Sequence, residues 1–78
     1  MQDNRTPSEH VAEFWNAPDD ALFTQEILEL VVQKSGAWFE KHRWAGTGIP
    51  YTRIGRKPLY QKRDVLRVLK NNRVEQVR

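Results

Sequence analysis

Arg53-Ile54-Gly55-Arg56-Lys57-Pro58-Leu59-Tyr60 is the segment that most restricts what this chain can become. Residues 51–54 alternate, with Ile54 toward one face and Arg53 toward the other. Gly55 is free to take the positive φ that a tight turn requires. The predicted product is a hairpin over 51–60 with a cationic tip at Gly55-Arg56-Lys57. Pro58 removes a backbone donor from the returning strand, which suits an edge or a two-stranded wing and not a central strand. A helix is expected directly afterwards, over 62–71. Val65, Leu66 and Leu69 bury on it, Asp64 sits in its N-terminal turn, and Asn71-Asn72 ends it.

Upstream, Thr6-Pro7-Ser8-Glu9 has the form of a helix start. Thr6 caps, Pro7 suits the first helical position, and Glu9 closes a capping box. Val11, Phe14 and Trp15 then fall on one face of a short helix, which Asn16-Ala17-Pro18-Asp19-Asp20 terminates. Thr24 is placed to cap a second helix over 24–32, with Ile27, Leu30 and Val31 as its buried stripe and Leu28 and Val32 widening it. Gln33-Lys34 forms a turn. Ser35 caps a third helix over 35–44, with Phe39 and His42 inward and Gly36, Ala37, Glu40 and Lys41 outward. Ala45-Gly46-Thr47-Gly48-Ile49-Pro50 cannot continue it cheaply.

A chain of 78 residues makes one small domain with a modest core, so support from a partner or a dimer is expected, as is a homo-oligomer on its ligand. Cysteine is absent, which removes a disulfide framework and fits a reducing compartment. No apolar run reaches membrane-spanning length, and Met1-Gln2-Asp3-Asn4-Arg5 leads into no signal-peptide core. A cytoplasmic protein with no membrane partner is the expectation. The net charge of +3 conceals a sharp split: residues 1–33 carry a net −6 and residues 34–73 a net +9. A patch of that sign and density draws a polyanion.

Catalysis is excluded on inventory, and no cofactor or metal is expected. His10 and His42 stand alone, no second ligand lies at metal-like spacing, and no Ser-His-Asp arrangement, phosphate-cradling loop or carboxylate pair is visible. What remains is helix, turn, helix, basic wing, helix. Such a surface suits double-stranded DNA: the 35–44 helix enters a major groove about 12 Å wide, N-terminal residues toward base edges. Ser35 and Trp38 are also counted among its DNA-contacting residues, small Gly36 and Ala37 let it approach closely, Ala37 reaches a thymine methyl, and Lys41 reaches guanine acceptors or a phosphate. Arg43 crosses to the backbone. Arg53, Arg56 and Lys57 clamp phosphates or enter the minor groove. Tyr60 and Trp44 are expected to pack, while Trp38 is divided between packing and contact.

Residues 23–69, about three-fifths of the chain, resemble the small winged helix-turn-helix domains of bacterial and phage excisionases and AlpA-type regulators, relatives of the MerR DNA-binding domain. The 24–32 helix, Ser35-Gly36-Ala37-Trp38-Phe39 and Arg43-Trp44-Ala45-Gly46-Thr47-Gly48-Ile49-Pro50-Tyr51 carry the likeness. So do Arg53-Ile54-Gly55-Arg56-Lys57-Pro58-Leu59-Tyr60 and Asp64-Val65-Leu66. The resemblance implies a mainly α fold with a small β-hairpin, and sequence-specific duplex binding. It also implies a role in excising or regulating a mobile element or phage, as an architectural factor beside a recombinase (integrase) or as a transcriptional regulator. Two features depart from the pattern: the acidic N-terminal extension, and a Gln33-Lys34 turn without the glycine often found there. The predicted organisation is an acidic extension with a short helix over 1–20, a winged helix-turn-helix DNA-binding domain over 21–73, and a loose tail over 74–78. Deleting 1–20 is expected to spare DNA binding. The alternative is a protein-interaction adaptor or inhibitor acting through the acidic helix. Single-stranded RNA binding through the aromatics is a third reading.

Overall fold

The computed structural model describes residues 4–75, so the ends of the expected N-terminal lead and of the 74–78 tail lie outside the described residues. Four helices and a three-stranded antiparallel sheet follow in the order α1 (Pro7–Asn16), β1 (Leu22–Thr24), α2 (Gln25–Val32), α3 (Gly36–Ala45), β2 (Thr52–Ile54), β3 (Lys57–Gln61) and α4 (Lys62–Asn71). The helix starts obey local chemistry. Thr6 Oγ1 accepts from Glu9 N–H at 3.2 Å, and Thr6 N–H donates to Glu9 Oε1 at 3.1 Å. The bond from the Thr6 backbone N–H, and after it the Thr6 hydroxyl, hold the Glu9 carboxyl below the usual carboxylate range. The capping box therefore supports α1 above the ordinary carboxylate pKa and loses that support as pH falls through the depressed one. Ser35 Oγ accepts from Trp38 N–H at 3.2 Å. Thr24 occupies the cap position of α2, yet its side chain makes no capping hydrogen bond.

β1 departs from the expected two-stranded wing. Leu22, Phe23 and Thr24 pair with Gln61, Tyr60 and Leu59, which makes β3 the central strand. Pro58 thus lies in a central strand, against expectation. β1 stops at Leu59, however, so at Pro58 the sheet is only two strands wide, with Arg53 of β2 opposite. One side of the backbone there needs no donor. Beyond that point the hairpin projects without a covering layer, and Ile54 is 69% exposed although apolar.

One core joins every helix to the sheet: Phe14, Phe23, Leu28, Phe39, Ile49, Tyr60 and Val65. Phe14 of α1 is 0% exposed, with its ring 5.0 Å from that of Phe23. Phe39 and Tyr60 meet edge to face at 5.6 Å. On α2 the deepest residue is Leu28, while Leu30 is exposed and Ile27, Val31 and Val32 pack at the margin. The stripe is rotated because α2 packs against α1, α3, β1 and β3 together. On α4, Val65 is buried, Leu66 half-buried and Leu69 exposed.

Lys62 is an unexpected core residue, 6% exposed. Its Nζ donates to Trp15 O at 2.9 Å and Ala17 O at 2.8 Å, and lies 5.6 Å from the Phe14 ring centre. A cation belongs at the negative end of a helix, and α1 has no basic residue of its own in its last turn. The loop after α1 is stitched to the same place: Lys62 N–H donates to Ala21 O and Arg63 N–H to Asp19 O.

Candidate nucleic-acid interface

The α2–α3 turn forms without glycine. Gln33 itself takes the left-handed conformation, φ 58° and ψ 46°, and closes α2. Ser35 then starts α3, so its hydroxyl is engaged as a cap. Gly36, expected outward, faces α2 instead: a Cβ there would lie 3.3 Å from Glu29 Oε2. The close approach that this glycine allows is between helices. Trp38 packs at the core margin with its ring 4.3 Å from that of His42. His42 Nδ1 lies 2.7 Å from Thr47 Oγ1, which draws the loop after α3 back over the helix. Gly48 seals that approach, with φ 86° and a Cβ position only 2.9 Å from His42 Cβ.

Arg43 is turned inward. Its Nη1 donates to Tyr60 Oη at 3.0 Å and to Gln25 Oε1. Tyr60 is buried, and a buried phenol needs a partner. The guanidinium also lies 6.0 Å from the Tyr51 ring centre, and that of Arg53 lies 5.7 Å from the same ring. Arg53 Nη1 donates to Arg56 O at 3.2 Å, bracing the hairpin across its own turn. Gly55 makes that turn with φ 70°.

Of the nine residues expected at the interface, Ser35, Ala37 and Lys41 at α3 and Arg53, Arg56 and Lys57 on the hairpin are exposed. Ser35 caps, and Gly36, Trp38 and Arg43 are half-buried and hold α3 in place. The structure adds a groove of about 470 Å³ walled by Glu40, Arg43 and Trp44 from α3 and by Tyr51 and Arg53 from the hairpin side. A larger groove, about 650 Å³, is lined largely by apolar residues including Val32, Trp38, Ile49 and Val68, with Lys34 as the one Lys or Arg among the described residues that line it. Charge and polar reach select the smaller groove as the candidate site.

Trp44 is the main omission. It was expected to pack and is 93% exposed. Helical geometry carried the signal: Trp44 lies five residues past Phe39, about 140° away from the buried face. Among the described residues, no three His, Asp or Glu side chains gather to hold a metal, and no helix is long and apolar enough to cross a membrane. Compared with protein-family models, curated proteins and solved structures, the chain matches none.

Proposed function

We propose that the chain binds duplex DNA as a winged helix-turn-helix protein, α2 and α3 forming the helix-turn-helix and the β2–β3 hairpin the wing. The observation that carries this reading is the groove that α3 and the hairpin share, with Arg53 on one wall and Glu40 and Trp44 on the other. Exposed Lys41, Arg56 and Lys57 stand on those same two elements. A helix with its side chains is about 10–12 Å across and fits a major groove about 12 Å wide, and the ten residues of α3 lie along it for about 15 Å. The wing then lies along phosphates or the minor groove, where arginine is favoured. In the manner of the excisionase and AlpA-type domains that the sequence resembles, the chain acts on a mobile element or phage. It serves there as an architectural factor beside a recombinase or as a transcriptional regulator.

Phosphates supply most of the affinity on this reading. With about six phosphate contacts, log K falls against log salt with a slope near −5. Fluorescence anisotropy with a labelled duplex at several salt concentrations measures it, and a flat response overturns the proposal. Two variants then separate reading from clamping. Lys41→Ala costs about 1–3 kcal/mol on the preferred duplex and relaxes selectivity. Lys57→Ala weakens all duplexes alike and makes the salt slope shallower by about 1.

A further inference from the structure

The candidate groove contains a carboxylate where a phosphate-binding surface has least use for one. Glu40 stands on its α3 wall, exposed, one helical turn before Trp44. Arg43, three residues on, is its natural ion-pair partner within the helix. That guanidinium is turned away to Tyr60 and Gln25. Among the described residues, the Glu40 carboxylate makes no ion pair or hydrogen bond. The acid is thus presented to whatever occupies the groove, and toward phosphates it is purely repulsive.

A carboxylate accepts hydrogen bonds and donates none. In the major groove the base-edge donors are the amino groups of cytosine (N4) and adenine (N6). Adenine sets its N7 acceptor beside N6, and two acceptors facing one another repel. Cytosine has no acceptor on its own major-groove edge. We propose that Glu40 is a specificity-determining residue that selects a cytosine by accepting from its N4 amino group. This inference rests on the duplex-DNA reading above. The repulsion it suffers from phosphates becomes useful, because it penalises every register in which no amino group meets the carboxylate.

The test is selection from a randomised duplex library with the full chain, Glu40→Gln and Glu40→Ala, followed by affinities on the preferred duplex and its single-pair variants. The wild-type chain is expected to prefer cytosine at one position and to lose about fivefold or more when that pair is changed, the lower end of what one good base contact discriminates. Glu40→Gln is expected to move the preference at that position to adenine, which glutamine contacts through N6 and N7. Glu40→Ala should erase the preference there and leave the neighbouring positions as they were. Circular dichroism checks that both variants fold, which an exposed site predicts. The proposal is overturned if both variants raise affinity for every duplex by one common factor with an unchanged sequence profile, or if the wild-type chain binds duplexes without any base preference. A wild-type chain that binds no duplex at all overturns the DNA reading itself.

Discussion

Phe14→Ala is expected to lower the free energy of unfolding by about 3–5 kcal/mol. The side chain is fully buried, and its ring meets those of Trp15 at 5.1 Å and Phe23 at 5.0 Å. Removing it deletes the transfer energy of the ring and leaves a cavity that α2 and β1 cannot both close. A domain of this size starts from the low end of the usual 5–15 kcal/mol, so the variant retains little margin. Urea unfolding followed by circular dichroism measures the loss as a fall in midpoint at constant slope. A shift corresponding to less than about 1 kcal/mol would mean that α1 is an ornament on a core formed without it. The same packing bears on truncation. Deletion of residues 1–20 is expected from sequence to spare DNA binding. With Phe14 in the core and Lys62 bonded to Trp15 O and Ala17 O, the shortened chain should instead lose cooperative unfolding, and duplex binding with it.

Local chemistry was legible where neighbours in sequence are also neighbours in space. Thr6, Pro7 and Glu9 announced α1, Ser35 announced α3, and Gly55 announced the hairpin turn, because each effect operates within four residues. What escaped needed partners far along the chain. β1 is three residues long, too short to show a period, and exists only because β3 pairs with it some forty positions later. Leu28 and Leu30 look alike in a helix that is apolar on several faces, and only the surrounding elements decide which is covered. At the candidate site the exposed cations were read from charge alone. The inward turn of Arg43 could not be, because it depends on Tyr60 and Gln25, which lie 17 and 18 residues away. From sequence Arg43 is expected to cross to the DNA backbone instead.

Lys62→Met is expected to cost about 2–4 kcal/mol of stability. Hydrogen bonds from charged donors are each worth about 1.5–3 kcal/mol, and this ammonium makes two, to Trp15 O and Ala17 O. Their loss strands two carbonyls at the negative end of α1 and removes the cation beside the Phe14 ring. Part of the cost is returned, because methionine needs no hydration and fills most of the same space. Lys62→Arg tests whether charge alone suffices: the guanidinium is larger and holds its donors in one fixed plane, which fits two carbonyls gathered on a single ammonium less well, so only partial recovery is expected. Thermal unfolding of the three proteins side by side decides the matter, and an unchanged midpoint in Lys62→Met would show the two bonds to be incidental. The variant also separates net charge from usable charge. Lys62 counts toward the +9 of residues 34–73, but its ammonium is bound inside the protein. At a temperature where Lys62→Met remains folded, the salt dependence of duplex binding should therefore match wild type, whereas removal of exposed Lys57 makes it shallower.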